Sequence, residues 1–113
     1  VVVFTHDPGF GDIFWLTSRY FPAIAEADRR RFPAVERLTD VLGPAKVEAI
    51  PVPFDCRDGF LGAFWREPTL YLQDHVRAGM SGFAMLDAAS HQAGVELLRQ
   101  DLARRHLTWA TGW

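Results

Sequence analysis

The chain opens on an uninterrupted run of apolar residues. Residues 1–4 read Val-Val-Val-Phe, and the polar turn sequence Thr-His-Asp-Pro-Gly follows them. A continuous β-branched run of this kind is typical of a strand buried on both faces of a parallel sheet. A second strand is predicted over residues 46–52, where Pro51 and Pro53 remove backbone donors and favour a position at the sheet edge.

A helix is predicted between these two strands, over residues 32–42. Val35, Leu38 and Leu42 recur there at helical spacing, and a Gly-Pro pair follows directly. The order strand, helix, strand predicts a βαβ unit, whose crossover is almost always right-handed, so that its strands run parallel in one sheet. The predicted fold class is therefore α/β.

After residue 53 the pattern changes to helical pieces. Short ones are predicted over residues 59–66, 68–72 and 74–86, the last interrupted by Gly79 and Gly82. We expect these pieces to form a cap over a site.

A longer helix is predicted over residues 88–105. Asp87 is placed to cap its start, and Val95, Leu98 and Leu102 share one face. We expect this apolar face to pack on the sheet.

Composition and charge limit the possible partners. The chain has 113 residues, which suits one domain or part of one. Its net charge of -2 gives too weak a field to attract nucleic acid or an anionic membrane, and no apolar stretch approaches the roughly 20 residues that span a bilayer. The single cysteine, Cys56, cannot form an internal disulfide and suits a reducing compartment. A cytoplasmic protein that acts on a small molecule is therefore expected.

Taken in order, these segments resemble the last part of bacterial class I S-adenosylmethionine-dependent methyltransferases, of the kind described as methyltransferase type 11 domain proteins. The segments that carry the resemblance are VVVFTHDP, WLTSRYFP, FPAVERLTDVLG, KVEAIPVPFDCRDGFLGAFWREPTLYL and LLRQDLA. The resemblance implies that residues 1–113 are a partial methyltransferase domain: fifth strand, crossover helix, sixth strand, helical cap and C-terminal helix. This would be the C-terminal half of a Rossmann-like sheet, truncated at both ends.

The resemblance also bears on the cofactor. In that family S-adenosylmethionine lies on a glycine-rich turn after the first strand, with an acidic residue ending the second strand, and no segment of this sequence matches either. The resemblance therefore implies that this chain is a fragment that is inactive alone. The full-length parent would bind the cofactor mainly through its N-terminal half and would methylate a small or medium-sized acceptor. Two alternatives stay open: a stand-alone α/β binding or regulatory module, and a hydrolase that uses Cys56 or His6.

His6 and Asp7 are the candidate catalytic residues. They directly follow the first predicted strand, and open α/β sheets bind ligands at the carboxyl ends of their strands. Either side chain could accept a proton from the methyl acceptor. Asp7 also fits a turn in which its carboxylate bonds to the backbone, because Pro and Gly follow it.

Four further residues are expected to bind the acceptor: Trp15, Tyr20, Trp65 and Arg66. Aromatic rings can pack an apolar substrate or face a sulfonium cation, although core packing explains aromatic residues equally well. Arg66, like Arg77, could bind a carboxylate or phosphate. No metal site is predicted, because the histidines lack ligand spacing.

Overall fold

A computed structural model of the protein describes residues 1–104, and all regular elements in this part of the chain are helices. The α-helices are α1 (Pro22–Arg31), α2 (Val35–Leu42), α3 (Asp74–Ala78), α4 (Ser81–Ala84) and α5 (Ala88–Ala103). Two 3-10 helices, Pro8–Asp12 and Pro68–Leu72, and a π-helix, Leu16–Tyr20, complete the set. None of these helices is long and apolar enough to cross a membrane.

The two segments predicted to be strands have no regular structure. Residues 1–4 and 46–52 form no strand, and residues 1–104 contain no sheet. The predicted α/β class, with its βαβ unit and half of a Rossmann-like sheet, is therefore wrong. A strand needs a neighbour to pair its backbone N–H and C=O groups, and neither segment has one. Val1, Val2 and Phe4 are instead at least 84% exposed.

The π-helix and α1 form the first part of the core, and the sequence pattern did not predict them. Pro22 occupies the first turn of α1, where its missing N–H costs nothing, and three arginines occupy the last turn, where positive charge suits the helix dipole. Phe32 leaves the helix with φ -112° and ψ 131°, as expected for a residue before proline. The buried Asp28 interrupts the apolar face of α1 and obscures its helical pattern.

The core lies where the π-helix and α1 meet the later helices. Its buried members are mostly aromatic or large aliphatic side chains: Phe14, Trp15, Leu16, Tyr20, Phe21, Ile24, Tyr71, Met80, Phe83, Val95 and Leu98. The predicted cap region therefore supplies three of these core residues, Tyr71, Met80 and Phe83, and does not lie over a sheet.

The start of the last helix was predicted correctly. Helix α5 begins at Ala88, and the carboxylate of Asp87 accepts a hydrogen bond from the backbone N–H of Ser90 at 2.7 Å. This is an N-cap, and it lowers the pKa of Asp87 because the hydrogen bond favours the charged carboxylate. Arg105, the predicted last residue of this helix, lies outside the described residues.

The apolar face of α5 is also confirmed, although it packs on helices. Val95 and Leu98 are buried, and Leu102 packs against the same core. At Gly94 the helix approaches the π-helix so closely that a Cβ atom would overlap the carbonyl oxygen of Tyr20 and the ring of Phe21. This contact therefore requires glycine.

The predicted crossover helix is present over part of its range. Helix α2 ends at Gly43, whose φ of 90° lies in the region that favours glycine, and none of its residues is buried. It joins no strands, so it is not a crossover helix.

The shorter predicted helices have mixed outcomes. The 3-10 helix Pro68–Leu72 lies where a helix was predicted, whereas residues 61–66 form only turns. Gly79 ends α3 as predicted, but Gly82 lies inside α4, close to the side chain of Ile24.

Candidate functional site

His6 lies against the end of α1 and not at the end of a strand. Its Nε2 is 3.4 Å from Oδ2 of the buried Asp28, and its ring meets the rings of Phe10 and Phe32 edge-on, with centroids 6.2 and 5.4 Å away. Nε2 is buried and makes no hydrogen bond within the described part of the chain, so the contact with Asp28 is an ion-pair approach when His6 is protonated. One side of the imidazole remains accessible, since 36% of the side chain is exposed.

Asp7 makes the turn that the Pro-Gly sequence also allowed. Its Oδ1 accepts a hydrogen bond from the backbone N–H of Gly9 at 3.2 Å and so caps the 3-10 helix Pro8–Asp12. This bond occupies one carboxylate oxygen. The catalytic role of Asp7 stays a prediction.

Trp15 belongs to the core. It is only 3% exposed, its indole N–H donates to the carbonyl of Trp65 at 3.1 Å, and its ring lies edge-on to those of Tyr20 and Tyr71. Core packing, the alternative that the sequence left open, accounts for these contacts. Its contact with an acceptor stays a prediction.

Tyr20 joins the π-helix to α5 through a polar contact. Its hydroxyl donates to Oδ2 of Asp101 at 2.7 Å. Burial raises the pKa of Tyr20, and the charge and hydrogen bond of Asp101 raise it further, while the neighbouring Arg19 lowers it. A phenol that stays protonated can serve as a hydrogen-bond donor over the ordinary pH range.

Trp65 and Arg66 hold the preceding segment against the body of the protein. The indole N–H of Trp65 donates to the carbonyl of Val52 at 2.9 Å, and the guanidinium of Arg66 lies 4.9 Å from the centroid of the Phe54 ring. Trp65 is half-buried and Arg66 is exposed. The role of Trp65 and Arg66 in acceptor binding stays a prediction.

Arg77 is not a surface arginine poised for a ligand. It is 6% exposed and donates to His91 Nε2 at 2.9 Å, to the Tyr71 carbonyl at 2.7 Å, and to the carboxylate of Asp74. The Arg77 guanidinium therefore binds groups of the protein itself, and of these Asp74 is exposed.

A groove of about 310 Å³ opens between the start of α1 and the side of α5. Its polar lining residues are Arg19, Tyr20 and Ser90, and apolar ones include Phe21, Pro22 and Leu97. Of the residues predicted to form the site, Tyr20 alone lines this groove.

Sequence reasoning missed two carboxylates that face predicted site residues. Asp28 lies four residues after Ile24, and Asp101 lies three residues after Leu98, so each follows a buried residue at helical spacing. An acidic residue at such a position is the signal that could have identified a polar partner inside the fold.

Cys56 and His6, the residues of the hydrolase alternative, have different contacts in the structure. Cys56 Sγ lies 3.6 Å from the carbonyl of Asp58, whereas His6 contacts α1. Residues 1–104 contain no group of three or more His, Cys, Asp or Glu residues that could hold a metal ion.

One solved structure relates the chain to a kind of enzyme. The chain is similar to a protein of Anabaena variabilis ATCC 29413 described as a "Putative methyltransferase from antibiotic biosynthesis pathway". The two are 39% identical over 86% of this chain, with a TM-score of 0.69, and the chain spans 40% of that protein's length. No family model and no curated protein matches the chain.

Proposed function

We propose that this chain is part of a methyltransferase that uses S-adenosylmethionine as the methyl donor. The observation that carries the proposal is the 39% identity to a protein described as a methyltransferase, over 86% of this chain. Because the chain spans 40% of that protein's length, the rest of such an enzyme would supply most of the donor site. The chain alone would then be inactive.

The chain's own contribution would be to hold and orient the acceptor. S-adenosylmethionine supplies the electrophilic methyl group, and its site would lie mainly in the rest of the enzyme. The acceptor atom would have to lie beside the residue that takes its proton, and not in the groove between α1 and α5, which neither His6 nor Asp7 lines.

His6 is the residue that we assign to proton acceptance. Asp7 already accepts a backbone hydrogen bond, whereas the imidazole of His6 is 36% exposed and has the Asp28 carboxylate beside it. A carboxylate next to an imidazole stabilises the imidazolium that forms when the base takes a proton. Asp28 would be the positioning residue.

We also propose that the acceptor is a small or medium-sized molecule. The similar protein is described as belonging to an antibiotic biosynthesis pathway, and the net charge of -2 does not favour nucleic acid or a membrane as the partner.

We further propose a cytoplasmic location. The free thiol of Cys56 supports a reducing compartment.

The test is methyl transfer from S-adenosylmethionine labelled in the methyl group. We expect the complete protein encoded by the gene to label compounds in a small-molecule extract of its own cells, and the 113-residue chain to label none. Calorimetry should likewise show donor binding to the complete protein and no binding to the chain alone. Labelling by neither protein would contradict the methyltransferase proposal. Binding of S-adenosylmethionine to the 113-residue chain at micromolar concentration would contradict the proposal that the rest of the enzyme supplies most of the donor site.

The role of His6 is tested in the complete protein. His6→Ala should lower turnover by about 100-fold, the usual scale for losing a general base, while the melting temperature changes little. His75→Ala, at an exposed position of α3, is the matched control and should retain full turnover. Equal turnover in both variants would remove His6 from the mechanism.

A further inference from the structure

We propose that the methyl acceptor is a phenol, and that its hydroxyl lies at Nδ1 of His6 when the methyl group is transferred. This substrate class rests on the proposed function, because it concerns the same site.

The surroundings of His6 distinguish its two ring nitrogens. Nε2 is buried and lies 3.4 Å from Oδ2 of Asp28, whereas 36% of the side chain is exposed. The nitrogen that a ligand can approach is therefore Nδ1. A carboxylate beside Nε2 favours the tautomer with the proton on Nε2, and this tautomer leaves the lone pair of Nδ1 to accept a proton.

A proton acceptor at this position matters most for a hydroxyl. An amine attacks through a lone pair and loses its proton only after the transfer, and a thiol, with an ordinary pKa of about 8.5, is partly ionised near neutral pH without a base. A hydroxyl is a weak nucleophile as long as it holds its proton. Among hydroxyls, a phenol with a pKa of about 10 can pass its proton to an imidazole during the attack, whereas an alkyl alcohol is a far weaker acid.

Aromatic side chains border the imidazole and suit a flat ring. Phe10 and Phe32 meet it edge-on, with centroids 6.2 and 5.4 Å away, and neither of them is buried. Aromatic rings attract each other at centroid distances of about 4.5–7 Å. A phenol whose oxygen reaches Nδ1 would extend this cluster of rings.

The transfer step balances with His6 as the proton acceptor. The phenol oxygen forms a bond to the methyl carbon, the bond from this carbon to the sulfonium sulfur breaks with its electron pair passing to sulfur, and the hydroxyl proton passes to Nδ1. The Asp28 carboxylate stabilises the resulting imidazolium, which returns the proton to water at its exposed side.

The experiment identifies the bond that the complete protein makes. The protein is incubated with a small-molecule extract of its own cells and with S-adenosylmethionine labelled in the methyl carbon, and NMR measures the chemical shift of the transferred methyl group. We expect an aryl methyl ether. A methyl group on nitrogen, sulfur, carbon, a carboxylate or an alkyl oxygen would overturn the phenol assignment and leave the proposed function standing. The absence of any labelled product would overturn both.

The pH dependence of turnover tests the proton acceptor. In the complete protein, turnover by His6→Ala should be low at pH 7 and should rise about 100-fold by pH 9, because each pH step below the phenol pKa of about 10 raises the phenolate fraction about tenfold. Wild-type turnover does not depend on free phenolate and should change far less. Turnover by His6→Ala that stays constant over this range would overturn the proposal.

Asp28→Asn tests the positioning of His6. The substitution keeps the shape of the side chain but removes the charge beside Nε2, so turnover at pH 7 should fall about 10-fold or more and recover toward pH 9. Glu26→Gln, at an exposed position of α1, is the matched control and should keep wild-type turnover at both pH values. An equal loss in Asp28→Asn at both pH values, or no loss, would overturn the positioning role.

Discussion

Arg77 is a buried cation that joins three parts of the chain. Its guanidinium donates to the carbonyl of Tyr71, to Asp74 on its own helix and to His91 on α5. The Nε2 atom of His91 accepts this bond, so its proton lies on Nδ1. A single side chain thus ties α5 to the segment before α3.

Replacing Arg77 should destabilise the protein. Arg77→Met removes the donors and leaves the Tyr71 carbonyl and His91 Nε2 without partners, and the free energy of unfolding should fall by about 2–4 kcal/mol. Arg99→Met is the matched control: Arg99 pairs with Glu96 at 2.7 Å on the surface of α5, where such pairs contribute about 0.5 kcal/mol or less. Denaturant unfolding of the complete protein measures both. Equal losses would show that the Arg77 contacts contribute no more than a surface pair.

Tyr20 and Tyr71 should make stability fall in alkaline solution. Burial raises the pKa of both phenols above their ordinary value of about 10. Because the folded state holds these protons more tightly than the unfolded state, stability is unaffected below about pH 10 and is lost as the pH rises further.

The variant that isolates this effect is Tyr20→Phe. It should lose about 1 kcal/mol at neutral pH with the hydrogen bond to Asp101, and its stability should fall less steeply above pH 10, with Tyr71 accounting for the remaining slope. Denaturant unfolding between pH 8 and 11 provides the measurement, with wild-type protein as the reference. An unchanged alkaline slope would mean that Tyr20 is not protected from solvent.

At the scale of elements, the contact between α5 and the π-helix depends on a missing side chain. Alanine favours a helix over glycine by about 1 kcal/mol, but at position 94 its Cβ would overlap the Tyr20 carbonyl and the Phe21 ring. We therefore expect Gly94→Ala to destabilise the protein by about 1–3 kcal/mol despite the gain in propensity.

Gly79→Ala is the matched control for this substitution. A Cβ at Gly79 would lie 3.6 Å from its nearest neighbour, the carbonyl oxygen of Val76, which is an ordinary contact. Its melting temperature should change by no more than a degree or two. If Gly94→Ala were as stable as this control, α5 would have to lie further from the π-helix.

The elements also show what the sequence pattern can predict. Helix α5 could be predicted because its apolar spacing and the Asp87 cap are local features. The failure at residues 1–4 has a physical cause, since a strand depends on a partner that its own residues do not specify. Helix α1 was missed because the buried Asp28 breaks the apolar stripe.

In the candidate site, too, local sequence predicted single residues but not their tertiary contacts. Tyr20 could be selected as an aromatic residue near the end of the first predicted strand, but its partner Asp101 lies 81 residues away, and no periodicity links them. The pairing of His6 with Asp28 is likewise a product of tertiary packing. Sequence reasoning therefore found individual side chains and not the contacts that give them chemical roles.

At the scale of the whole molecule, exposed apolar residues gather in two stretches. One is the amino-terminal run, where Val1, Val2 and Phe4 are exposed, and the other covers residues 41–60, where Val47 and Ile50 are examples. Exposed apolar side chains in such numbers promote association between chains.

We expect the isolated 113-residue chain to aggregate or to unfold without a sharp transition. Size-exclusion chromatography and thermal denaturation test this, and the double substitution Val2→Lys with Phe4→Lys should increase the soluble fraction because it places charge on the exposed run. Leu97→Lys, outside both stretches, is the control and should have a smaller effect. A soluble wild-type monomer with one steep transition would contradict the prediction and favour the stand-alone binding module.

The two indole hydrogen bonds impose unequal evolutionary constraints on three positions. Both acceptors are backbone carbonyls, at Trp65 for the Trp15 donor and at Val52 for the Trp65 donor. A backbone carbonyl is present whatever side chain its residue carries. A substitution at position 52 therefore leaves the hydrogen bond from the Trp65 indole intact. A substitution that replaces Trp65 removes one indole donor, and a substitution that replaces Trp15 removes both an indole donor and a buried ring. Purifying selection should therefore be strongest at position 15, weaker at 65 and weakest at 52.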